Sequence, residues 1–241
     1  ENIYISRTSG GGLRQLTTDP AIIDRVPRWS PDSQWIAYFS NRDGAHYQVW
    51  KIRPDGSDVQ QLTEADDDVR FPVWAPDGSR MAVTVMGKTP EGGDVYVFDP
   101  NRPWSAQTPQ RLPALENPRT LFLVNAWSGD GQRLVGQAGL VPQGIVTYSV
   151  RTGTYDRLTD FGELPVWLPD NRRVMFVSGG KDLFVVDTAT KTVRKTFSVR
   201  RDVIGPPQIS RDGKEAYFSR RVTEADIWLL TLDAAHSQSK P

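Results

Sequence analysis

Five copies of one six-residue pattern constrain this chain more than any other feature. Arg28-Trp29-Ser30-Pro31-Asp32-Ser33 returns as Val73-Trp74-Ala75-Pro76-Asp77-Gly78, then as Ala126-Trp127-Ser128-Gly129-Asp130-Gly131. It returns again as Val166-Trp167-Leu168-Pro169-Asp170-Asn171 and, most weakly, as Gln208-Ile209-Ser210-Arg211-Asp212-Gly213. The copies recur roughly every 40–50 residues, the period of solenoids, propellers and arrays. Four carry a proline two residues before the anchor (Pro27, Pro72, Pro165 and Pro207), whereas the third carries Asn125.

Each copy continues in the same order. An apolar run such as Trp35–Ser40 or Val174–Val177 follows the turn, and a polar loop leads to a third run such as Val49–Ile52 or Leu183–Val186. A second turn, for example Asp55-Gly56, leads to a fourth run that often closes on Gln-Leu-Thr or Arg-Leu-Thr (Gln61–Thr63, Arg157–Thr159). Asp-Gly turns between β-branched and aromatic runs signal hairpins, since such turns require residues that tolerate positive φ. Short strands in this rhythm, with no sustained helical period, predict an all-β chain. Four-stranded antiparallel sheets too small to bury their own faces stack around an axis and share core, which is a β-propeller. The anchor tryptophans are expected between blades. The innermost strand is expected to run from the proline, where the missing N–H costs least.

The pattern Pro-x-Trp-Ser-Pro-Asp-Gly, then Ile-Ala-Tyr-x-Ser, then Ile-Trp-x-Ile, then Gln-Leu-Thr resembles the WD-repeat-like repeats of TolB-type propellers, over essentially the whole chain. The resemblance implies a six-bladed ring, a bacterial protein of the periplasm or another extracytoplasmic space, and protein partners. Residues Asn2–Thr17 match a third and fourth strand only. Closure of five blades by Leu13–Thr17 is therefore the alternative to a sixth blade with inner strands upstream. The expected organisation is a single propeller over 1–233 with a polar tail over 234–241. Opening at Glu1 without methionine reads as a processed or excised piece of something longer.

Charge narrows the function. Lysine plus arginine and aspartate plus glutamate both number 29, so there is no basic excess for a nucleic-acid groove. No run is long enough to span a bilayer. With no cysteine and only His46 and His236, zinc or manganese cages and a Ser-His triad lack their residues. Gly10-Gly11-Gly12 lacks the Lys-Ser/Thr of a phosphate loop and reads as a hairpin turn. The repeat aspartates read as turn formers. No cofactor is implied.

Two clusters remain. Asp66-Asp67-Asp68 is either a solvated acidic loop or a hard-oxygen site for calcium, although calcium loops space their ligands. Arg25 and Arg70 stand four residues before Trp29 and Trp74, and Glu163 stands four before Trp167. With Arg119 and Asp202 in equivalent connections, they are either ordinary loop charge or a mixed-charge rim that receives a polar ligand. The expected function is a non-catalytic binding or scaffold propeller recognising a protein segment or small polar ligand. The alternative is the accessory propeller of a peptidase or other hydrolase whose catalytic domain lies elsewhere. A carbohydrate-active propeller using paired carboxylates is the weaker third reading.

Overall fold

A computed structural model describes residues 1–87, 93–115, 120–139, 144–200, 202–210 and 212–221. Four four-stranded antiparallel sheets follow one another along the chain, each a simple meander. The first comprises Asp24–Trp29, Ile36–Ser40, Gln48–Ile52 and Gln60–Gln61; the second Val69–Trp74, Met81–Met86, Gly93–Phe98 and Gln110–Arg111. The third comprises Phe122–Trp127, Arg133–Ala138, Ile145–Ser149 and Thr154–Arg157; the fourth Glu163–Trp167, Arg173–Ser178, Asp182–Asp187 and Val193–Ser198. A two-stranded ladder, Tyr4–Ile5 with Arg14–Gln15, precedes them. Short ladders pairing Val203–Ile204 with Arg220–Arg221 and Gln208–Ile209 with Ala216–Tyr217 follow them. The expected strand Ile227–Leu230 and His236 lie outside the described residues. Among those described, no helix is long and apolar enough to cross a membrane.

The first strand of each sheet packs on the first strand of the next, so these strands form the inner wall. The core lies between sheets, as expected of blades. Ala37, Phe39, Val49 and Leu62 of the first sheet meet Val69, Met81, Val83 and Phe98 of the second. Val73, Ala82 and Val97 meet Phe122, Val124 and Val146 in the next layer. Val135, Ile145 and Leu158 then meet Trp167, Val174 and Phe176. The anchor tryptophans follow this plan only in part. Trp127 and Trp167 are buried, beneath the guanidinium groups of Arg80 (5.1 Å) and Arg133 (4.6 Å) from the preceding sheet. Trp74 is half-buried and donates its indole N–H to the Arg28 carbonyl at 3.2 Å. Trp29 is 50% exposed, because no described full sheet stands on its side of the first blade.

The closing Gln-Leu-Thr has a specific task. Leu16, Leu62 and Leu158 are buried, and the threonine that follows each caps the third strand of its own sheet. Thr63 Oγ1 accepts the Val49 N–H, Thr159 Oγ1 the Ile145 N–H, and Thr17 Oγ1 the Ile3 N–H. The same contact in the N-terminal ladder assigns Tyr4–Ile5 and Arg14–Gln15 to the third and fourth positions of a blade.

All five repeat aspartates hold their turns. Each accepts the backbone N–H two residues on, from Gln34, Ser79, Gln132, Arg172 and Lys214. The third residue of each turn sits at positive φ, from Asn171 at 53° to Gly78 at 73°. The Ser30 hydroxyl holds Asp32, the Ser79 N–H holds Asp77 and the Ser210 hydroxyl holds Asp212 below the usual aspartate range. Burial raises Asp130 and Asp170, but hydrogen bonds from Ser128 and from the Arg173 N–H and side chain outweigh it and leave both lowered. Lowered folded-state values mean that these turns stabilise the fold above the ordinary aspartate pKa and lose that contribution as pH falls through the lowered values. The melting temperature is therefore expected to fall as pH drops below about 4. In Asp130→Asn/Asp170→Asn, which keeps the acceptor oxygens, that acid slope should be shallower. Melting curves across this range check it.

Candidate functional site

The inner strands are not the plain strands expected. Three begin before the proline, at Asp24, Val69 and Glu163, and each is broken by a bulge. Proline is tolerated at this break, since a residue outside the ladder needs no N–H partner. The residue before the proline takes positive φ in all three: Val26 at 56°, Phe71 at 56° and Leu164 at 54°. Such values are rare for β-branched or bulky side chains and cost about 1–3 kcal/mol each. The third sheet, with Asn125 in place of proline, keeps a bulge between Val124 and Ala126 but holds neither Val124 nor Asn125 at positive φ.

Immediately before the three strained residues stand Arg25, Arg70 and Glu163. They occupy the same rung, opposite Phe39, Thr84 and Val177. Leu123, opposite Gln137, takes that rung in the third sheet. Arg119 lies outside the described residues, and Asp202 is paired with Arg220.

Arg70 sits at the seam between the first and second sheets. Its Nη2 donates to Asp68 Oδ2 at 2.6 Å, while its guanidinium lies 4.4 Å over the Tyr47 ring. Its Nε is buried without an acceptor. Asp68 Oδ1 accepts the Tyr47 N–H at 3.0 Å and lies 3.4 Å from His46 Nδ1. Burial raises the Asp68 carboxyl, but the Tyr47 N–H and Arg70 more than offset this and leave it below the usual range. Phe39 packs edge-on against both Tyr47 and Phe71. Arg25 makes a two-pronged contact with Glu1, at 2.5 and 2.6 Å, on the exposed surface.

The acidic loop does not act as a unit. Asp68 turns to Arg70, whereas Asp66 lines a separate cavity of about 270 Å³ with Asp43, His46 and Glu64. The Asp67 carbonyl accepts from Gln48 Nε2 at 3.2 Å, and Gln48 also grips both the N–H and the carbonyl of Ala65. Among the described residues no three His, Cys, Asp or Glu side chains converge on a metal position. Gln48, His46 and Tyr47 were not legible as site residues. Their only sequence signal is their place at the start of the third strand, which His46 and Tyr47 precede and Gln48 opens, facing the closing threonine.

Residues 1–101 match the family described as the TolB beta propeller domain (PD40). The solved structure of a putative TolB from Agrobacterium tumefaciens superposes with a TM-score of 0.70 at 20% identity, covering 90% of this chain and 75% of that one. TolB from Acinetobacter baumannii gives 0.69 at 19% identity, covering 89% and 53%. The fold is that of the TolB-type β-propellers. A third likeness comes from sequence: the propeller is 28% identical over 203 residues to the uncharacterized peptidase YuxL of Bacillus subtilis (strain 168). That match covers 79% of this chain and 26% of the relative, so the propeller spans about a quarter of its length.

What the arrangement offers chemically is recognition. A guanidinium, a carboxylate and the half-buried rings of Tyr47 and Phe71 suit a polar, extended segment lying across the rim.

Proposed function

We propose that this propeller is a non-catalytic recognition module that binds an extended peptide segment at the mouth carrying Arg25, Asp68 and Arg70, with Glu163 on the same rung across the ring. One observation carries the reading: charged side chains stand directly before a strained bulge at the same position in three sheets. Strained, over-determined backbone clusters where a protein must present groups to a ligand. An acidic peptide group would displace Glu1 from Arg25 at little cost, since an exposed ion pair contributes only about 0–1 kcal/mol. The TolB likeness supports a protein partner and an extracytoplasmic bacterial setting. In this reading residues 1–233 form one propeller on a six-bladed plan, residues 234–241 are a polar tail, and the chain works as part of a longer protein.

The test is selection of binders from a displayed random peptide library, followed by titration of Arg25→Glu/Arg70→Gln. Glutamine at 70 keeps a polar amide beside Asp68 while removing the charge and the stacking on Tyr47. The expected result is at least a tenfold loss of affinity (about 1.4 kcal/mol) in a variant that remains folded by circular dichroism. Unchanged affinity, or no binder at millimolar concentration, would retire the mouth as a peptide site.

The 203-residue alignment with a protein named as a peptidase favours a second reading, the accessory propeller of a hydrolase. Under it the chain alone hydrolyses no peptide, and deleting it from the longer protein changes which substrates reach the catalytic domain. Peptide cleavage assays on both forms separate the two.

A further inference from the structure

On the opposite side of the first sheet, where Ile3 and Leu16 pack against Ile36, Tyr38 and Ile52, a cavity of about 290 Å³ opens. Leu16, Ile22, Val59, Arg42 and two carboxylates, Asp19 and Asp24, line it. The Asp24 side chain is fully buried, and neither carboxylate oxygen has a hydrogen-bond partner. The nearest cation is Arg42, whose Nη2 stands 3.7 Å from Oδ1, within ion-pair reach but too far for a hydrogen bond.

Arg42 is held back by its own contacts. Its guanidinium lies 4.8 Å over the Trp50 ring and 5.7 Å over Tyr38, and Nε donates to Ser40 Oγ at 3.4 Å. Asp24 is fixed from the other side, its N–H donating to the Glu1 carbonyl and its strand paired at Ser40. The Tyr38 hydroxyl and the Trp50 indole nitrogen are also buried without partners. Burial pushes Tyr38 up to about 12, so it remains an O–H donor at neutral pH. Of the seven buried, unpartnered side-chain atoms among the described residues, four belong to Asp24, Tyr38 and Trp50 at this corner.

Buried polar groups are nearly always paired, so such a concentration demands a reason. A purely structural Asp–Arg pair would close to a two-pronged contact. This one is held apart by a gap with an acceptor on one side and a donor on the other. A divalent metal fits poorly, since the guanidinium adds positive charge, Asp19 is engaged by the Ala21 N–H, and among the described residues no third carboxylate joins Asp19 and Asp24. A phosphate would meet the carboxylate. A small molecule with an ammonium group and a carboxylate on neighbouring atoms satisfies both sides.

We propose that this corner binds a free α-amino acid, its ammonium donating to Asp24, its carboxylate accepting from Arg42, and an apolar side chain lying against Leu16, Ile22 and Val59. The site is separate from the mouth and does not depend on the peptide-binding reading.

The experiment is calorimetric titration of the chain with L-leucine, N-acetyl-L-leucine and L-leucinamide. Leucine is expected to bind, and capping either end to weaken binding at least tenfold. Asp24→Asn should lose leucine binding at least tenfold while melting no lower than the parent without ligand, because it removes a buried charge lacking hydrogen bonds. No heat with leucine at millimolar concentration, or equal binding of N-acetyl-leucine, would overturn the proposal. So would an Asp24→Asn variant that melts lower yet binds leucine unchanged, since that marks a structural ion pair. The capped ligands carry the test by themselves if the variant does not fold.

Discussion

Phe176→Ala is expected to lower the unfolding free energy by about 3–5 kcal/mol, the usual cost of emptying a large aromatic site in a core. Phe176 is fully buried in the layer between the third and fourth sheets. Its ring stacks on Phe184 at 5.5 Å and meets the edge of Phe161 at 5.6 Å, and Phe161 and Phe184 touch one another. The methyl of alanine fills little of that space. Refilling it would require moving ladders on both sides, since Phe176 pairs directly with Phe184 and Val135 belongs to the neighbouring sheet. For a chain of this length each kcal/mol lowers the melting temperature by about 2–4 °C, so a fall of roughly 10 °C is expected. Urea denaturation monitored by tryptophan fluorescence measures the loss. A cost below about 1 kcal/mol would mean that the layer collapses onto the gap and that the sheets are less rigidly stacked than their contacts show.

The features legible in the sequence are those whose chemistry is local. A repeat aspartate bonds a backbone N–H two residues on, so Asp32 and Asp130 announce their turns without help from the rest of the chain. The shared rung of Arg25, Arg70 and Glu163 follows from counting back from the tryptophan, because the spacing within an inner strand is copied with the repeat. Features that depend on a neighbouring sheet stay hidden. Trp29 and Trp167 occupy the same place in their copies, yet one is half exposed and the other buried, and only the sheet alongside decides which. Proline marks a break in the ladder without revealing that pairing resumes upstream of it, or that Val26 and Phe71 absorb the bend. The partners of Arg70 at the seam, Tyr47 and Phe39, belong to the first sheet, and no motif links them to it. Asp24 and Arg42 were invisible for the same reason.

Thr63→Val tests whether the closing threonine governs both blade and mouth. Thr63 is fully buried; its hydroxyl accepts the Val49 N–H at 2.9 Å and donates to Gln48 Oε1 at 2.8 Å. Valine preserves the shape and removes both contacts. The Val49 N–H is then a buried donor without an acceptor, and Gln48 loses the bond that aims its amide at Ala65 and Asp67. Leaving such a group unsatisfied costs about 1–3 kcal/mol, and the loosened glutamine places the total toward the upper end. Thr63→Ser keeps the oxygen and should recover most of the loss. The two variants also differ at a distance. Gln48 holds the loop that delivers Asp68 to Arg70, so Thr63→Val should weaken peptide binding at the mouth as well as stability, whereas Thr17→Val, which lacks that link, should lower stability and leave peptide binding unchanged. Amide hydrogen exchange at Val49, faster in Thr63→Val and near parental in Thr63→Ser, reports the broken contact directly. Unchanged exchange would show that the strand holds its edge without the hydroxyl, leaving the repeated Gln-Leu-Thr to act through its buried leucine.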